Sequence, residues 1–87
     1  MALLDLLGRR WTLRVLWELR AEALGFRELQ ARCDGMSASV LSLRLGELRD
    51  AGILETDAAG LNRLSGDGAA LIEALVPLDR WAKRWAA

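Results

Sequence analysis

The sequence predicts a mainly α-helical domain with one small β-hairpin, in the order helix, helix, helix, hairpin, helix. Three observations carry that prediction. Apolar residues recur at helical spacing, as in Trp11, Val15 and Leu19 or Leu41, Leu45 and Leu48. Glycines and cap-forming serines punctuate the stretches at Gly8, Gly25, Asp34-Gly35, Ser37, Gly52 and Ser65. Two short candidate strands, 53–56 and 61–65, flank the turn residues Asp57-Ala-Ala-Gly60.

Taken in order, residues 2–7 read as a short helical turn that Gly8 separates from a helix over 10–21. In that helix Leu13, Leu16 and Trp17 widen the Trp11, Val15, Leu19 line into a broad apolar face. Gly25 opens the next helix, Phe26 to about Arg32, with Phe26 and Leu29 inward and Asp34-Gly35 as the turn beyond it. Ser37 is an N-cap for a helix over about 37–51, since its hydroxyl can accept from free first-turn amides, and Gly52 is placed to end it. Gly46 inside that helix costs about 1 kcal/mol relative to alanine. Ser65 caps a last helix running to Trp85, with Leu71, Leu75, Leu78, Ala82 and Trp85 on one stripe and Pro77 expected to kink it. Two helices across a short Gly-containing turn, followed by a hairpin, make the layout of a winged helix-turn-helix: a three-helix core, a wing and a C-terminal helix.

Composition narrows the function. The 87 residues suffice for one small domain with a thin core, yet 53% of them are apolar, which favours a partner surface such as a second copy of the chain. Absence of histidine removes the commonest general base, and no carboxylate pair, phosphate loop or metal-ligand cluster replaces it, so an enzyme is not expected and no cofactor is implied. A single cysteine forms no internal disulfide, and the apolar start is interrupted by Asp5 before Arg9 and Arg10, the reverse of a signal peptide. No run approaches the ~20 apolar residues of a membrane span, so a cytoplasmic protein without membrane partners is expected. Twelve basic residues balance twelve acidic ones, which argues against a non-specific nucleic-acid coat. Eleven of the cations are arginine, a residue suited to bidentate phosphate or carboxylate contacts.

Residues 6–19, Leu-Leu-Gly-Arg-Arg-Trp-Thr-Leu-Arg-Val-Leu-Trp-Glu-Leu, resemble the opening of the HxlR family of bacterial, MarR-like winged-helix regulators. Phe26-Arg-Glu-Leu29 with Gly35-Met-Ser37 is similar to that family's Phe-x-Glu-Leu and Gly-Ile-Ser. Leu41, Arg44, Leu45, Glu47, Leu48, Gly52 and Ile53 follow its Leu-x-x-Arg-Leu-x-Glu-Leu-x-x-x-Gly-Leu/Ile, and Leu64-Ser65, Gly68 and Leu71 follow its Leu-Thr-x-x-Gly-x-x-Leu. The resemblance spans nearly the whole chain as a single domain, with a core over 9–65 and a C-terminal dimer helix over about 66–86. It implies a homodimeric regulator that binds double-stranded DNA at an inverted-repeat operator, with the helix at about 37–51 in the major groove. Three departures stand out. Where the family's reading helix carries Gln, Lys and Thr, this chain has Ala38, Ser39, Ser42 and Leu43. Its wing is short, with Glu55 and Asp57 near the tip. The cysteine that many oxidant-sensing members carry ahead of the first helix is absent, and no effector is assigned.

The candidate DNA-binding residues are Arg27, Ser37, Ser39, Ser42, Arg44 and Arg63. Arg27 is placed for a phosphate or is a solvated arginine; Ser37 is a structural cap that can also meet phosphate; Ser39 and Ser42 are candidate base contacts or plain solvated serines. Arg44 either contacts a base or phosphate or pairs with Glu47 or Glu28, and Arg63 is the one cation of the hairpin. The candidate dimer interface is Leu3, Leu4, Leu7, Leu78, Trp81 and Trp85, although the last two could also stack on bases. Cys33 reads as a small core hydrophobe. A protein-interaction module on the same fold, without DNA binding, is the rival reading.

Overall fold

Leucine spacing and local caps generate seven elements in the computed structural model, which describes residues 2–87. They are α1 (Ala2–Leu7), α2 (Thr12–Glu18), α3 (Phe26–Arg32), α4 (Ala38–Asp50), β1 (Leu54–Thr56), β2 (Asn62–Leu64) and α5 (Gly66–Ala86). The mainly helical winged architecture expected from the sequence is the one observed.

The helix expected over 10–21 is shorter, Thr12–Glu18. Trp11 precedes it in the left-handed region (φ 76°), an arrangement that costs a non-glycine residue about 1–3 kcal/mol and stops the helix from starting earlier. At the other end the Leu19 amide is shared between the carbonyls of Val15 and Leu16, the tightening that closes a last turn. Two further expectations are corrected on these helices. Leu13 faces solvent, because Thr12, Val15, Leu16 and Leu19 already take the core-facing line. Phe26 is also exposed rather than inward: Leu29 and Cys33, one turn apart, hold the inner line of α3, and Phe26 falls beyond the core's edge. Trp11 and Trp17 are half-buried and pack against the core, with the Arg20 guanidinium 4.2 Å from the Trp17 ring centroid.

α4 follows its sequence signals closely. The Ser37 hydroxyl accepts from the Val40 amide at 3.2 Å, and Leu41, Leu45 and Leu48 are buried. Its end is a Schellman closure: Gly52 takes φ 76°, its amide bonds the Arg49 carbonyl, and the Ile53 amide bonds that of Leu48. The hairpin pairs Leu54 with Leu64 and Thr56 with Asn62, around a turn in which the Asp57 carboxylate accepts from the amides of Ala59 and Leu61. Leu24 joins this sheet, exchanging both backbone hydrogen bonds with Asn62 at 2.9 Å.

Ser65 caps α5 by accepting from the Gly68 amide at 3.0 Å and donates its own proton to the Gly52 carbonyl. Gly68 sits so close to the Ile53 carbonyl that a Cβ there would lie 2.2 Å from its oxygen. Ile72 is buried and Leu71 and Leu75 half-buried, after which α5 leaves the core. Pro77 lies inside the helix, which continues to Ala86. The core is therefore one cluster under α2, α3, α4 and the wing, sealed by the first turns of α5.

Candidate nucleic-acid interface

α3, the turn at Asp34–Gly35 and α4 form the helix-turn-helix. With Leu41, Leu45 and Leu48 anchored inward, α4 must turn Ala38, Ser39, Ser42 and Leu43 outward, and all four are exposed. The outward half of this helix carries no charge before Arg49. Ser37 is occupied as the cap, with its hydroxyl 3.3 Å from that of Ser39. Arg27 is exposed on the first turn of α3 and has no hydrogen-bond or ion-pair partner among the described residues.

Arg44 is held. Its Nε donates to the Arg10 carbonyl at 2.8 Å, its Nη1 donates to Glu47 at 2.8 Å, and only 16% of its side chain is exposed. Of the two carboxylates open to Arg44, the structure pairs it with Glu47, while Glu28 is bonded to Arg32. Glu47 also pairs with Arg9, so one carboxylate ties the α1–α2 connection to α4. The Arg44 hydrogen bond, helped by the charge of Arg9, holds the Glu47 carboxyl below the usual range. Burial pushes the Cys33 thiol in the opposite direction, upward, which keeps it protonated.

In the wing, Arg63 pairs across the strands with Glu55 at 2.7 Å, while Asp57 is spent on the turn. Asn62 does what the sequence analysis did not foresee. Its buried side chain donates to the Leu24 carbonyl and accepts from Arg49 Nη1 at 3.3 Å, joining wing, α4 and the segment before α3. A polar residue at the inward position of a strand was the available signal. The double use of Glu47 left none, since Arg9 lies outside any helical repeat.

The candidate dimer residues fall into two groups. Leu3, Leu4, Leu78, Trp81 and Trp85 are exposed, and the two tryptophans stack with centroids 6.0 Å apart and planes 9° from parallel. Leu7 is half-buried against its own chain's core. A groove of about 290 Å³ between α2 and α5, lined by Leu13, Trp17, Leu75, Leu78 and Ala82 with Arg14 and Asp79 at its edges, continues this apolar surface. Among the described residues, no helix is long and apolar enough to cross a membrane.

Comparison with known proteins gives a consistent pattern. Residues 6–87 match the profile of the HxlR-like helix-turn-helix family. An uncharacterised HTH-type transcriptional regulator of Bacillus subtilis (strain 168), YvaP, is 30% identical, over 93% of this chain and 81% of the relative. Quinone-bound YodB from B. subtilis superposes with a TM-score of 0.88 at 26% identity, covering 95% of this chain and 93% of that one. A possible HxlR family transcriptional factor from Thermoplasma volcanium GSS1 gives 0.84 at 24% identity, over 97% and 81% of the two chains, a likeness of fold.

Proposed function

Because the chain belongs to the HxlR-like helix-turn-helix family, a family of DNA-binding transcriptional regulators and not of enzymes, we propose that it acts in the cytoplasm as a homodimer that sets α4 into the major groove of an inverted-repeat operator. Half-site centres would lie about 34–36 Å apart, one turn of duplex. Leu3, Leu4, Leu7, Leu78, Trp81 and Trp85 form the dimer contact in this reading, and all but the half-buried Leu7 are apolar side chains that a monomer leaves exposed. Arg27 and the first turn of α4 at Ser37 meet phosphate, and Ser39 and Ser42 face base edges. Arg44 meets a base only with the N–H donors that the Arg10 carbonyl and Glu47 leave free, and Arg63 reaches the backbone while shared with Glu55.

The observation that carries this reading is the outward face of α4, fixed by its buried leucines, with Arg27 exposed on the first turn of α3 and without a partner among the described residues. Selection of bound duplexes from a random pool, followed by salt titration of the best binder, tests it. A two-fold sequence whose affinity falls steeply with salt is expected; no enrichment at low salt by folded protein refutes it. One observation favours the rival interaction module: Arg44 and Arg63, two of the candidate DNA-contacting cations, are already paired inside the chain. Arg27→Ala separates the two readings, since it weakens DNA binding in the first and changes nothing in the second.

A further inference from the structure

Leu43 is 57% exposed on the outward face of α4, one helical turn beyond Ser39 and beside Ser42. It is the one large side chain on that stretch. Ala38, Ser39 and Ser42 are all short, so in a groove-bound helix Leu43 reaches deeper than its neighbours. Of the two arginines on the same helix, Arg44 is only 16% exposed, with its Nε and Nη1 engaged by the Arg10 carbonyl and Glu47, and Arg49, in the last turn, donates to Asn62. An isobutyl group offers base edges no hydrogen bond. The largest apolar group that the bases present in the major groove is the C5 methyl of thymine. A solvent-exposed leucine is at a disadvantage in the free protein, and contact with that methyl removes apolar area on both sides.

Building on the regulator reading above, we propose that Leu43 is a specificity-determining residue that recognises thymine through its methyl group. The operator half-site then contains at least one thymine whose replacement by uracil, which deletes only the methyl, weakens binding.

The test begins with the duplex selected by the wild-type protein and substitutes deoxyuridine for each thymine in turn, with wild type and Leu43→Ala compared at fixed salt. Leu43→Ala keeps a good helix former at an exposed position, and circular dichroism confirms its fold. Wild type is expected to lose about fourfold in affinity at the recognised thymine, the factor carried by one buried methylene-sized group. Leu43→Ala should lose none at that same position. Specific binding with no uracil effect, or an equal effect in both proteins, overturns the role of Leu43 and leaves the regulator reading intact. Failure to enrich any duplex overturns both.

Discussion

Gly68→Ala tests the packing of α5 most sharply, because a single methyl group meets a fixed backbone. The added Cβ would stand 2.2 Å from the Ile53 carbonyl oxygen and 3.3 Å from Ile53 Cγ2. That oxygen cannot simply withdraw. It accepts the Ser65 amide at 3.0 Å, and the next residue, Leu54, is paired with Leu64 in the hairpin. Relief requires α5 and the wing to separate by about 1 Å, which loosens Ile72 against the core. Overpacking of this kind costs about 1–3 kcal/mol, a weakened hydrogen bond adds about 1, and alanine's helix preference returns about 1. The net is about 2 kcal/mol, or a Tm lower by about 8–16 °C in a domain of this size. Gly46→Ala is the matched control: it is also helical, but its Cβ would meet nothing within 4 Å, so stability should rise by up to about 1 kcal/mol. Thermal unfolding followed by circular dichroism reads both, at one protein concentration because the proposed self-association would shift Tm. A Gly68→Ala protein that melts at or above wild type refutes the close approach.

Three further outcomes follow from the same geometry. Glu47 has a folded-state pKa below its unfolded value of about 4.3, so its contribution is present above that value and disappears as pH falls through the folded pKa. Glu47→Gln should therefore flatten the acid limb of stability measured by urea midpoints between pH 7 and pH 3; an unchanged limb would exclude the Arg9–Glu47–Arg44 link. Thr12 Oγ1 is buried without a partner among the described residues, so Thr12→Val should be neutral or stabilising by about 1 kcal/mol, and a loss of that size in denaturant titration would reveal a bond to the hydroxyl. On the proposed dimer, Trp81→Ala and Trp85→Ala should each weaken self-association by at least about 30-fold in sedimentation velocity, as anchor residues do; unaltered dimers would move the interface elsewhere, and a monomeric wild type would refute the dimer.

What could be read from the sequence was local. The Ser37 and Ser65 caps, the Gly52 closure and the Leu41–Leu45–Leu48 line each depend on residues within one or two turns, and all appear where the spacing puts them. Features that depend on distant partners were not legible. The left-handed Trp11 shortened α2 against its own periodicity, and Phe26 fell outside a core whose edge is set by other elements. Gly68 carried a family match but no sign that Ile53 would press on it. For the candidate site, the outward face of α4 was predictable from its buried face. The capture of Arg44 by Glu47 was one of the pairings open in advance, whereas its hold on the Arg10 carbonyl joins residues 34 positions apart.

The pairing of Leu24 with Asn62 also bears on how the chain reaches this state. It fastens two points 38 residues apart, and the whole of α3 and α4 lies in the loop so closed. Closing a loop of that length opposes folding by on the order of 3 kcal/mol of chain entropy before the constant term. During synthesis the helix-turn-helix accordingly stays unfastened until β2 emerges, and β2 is the clasp that fixes two adjacent helices to the rest of the domain.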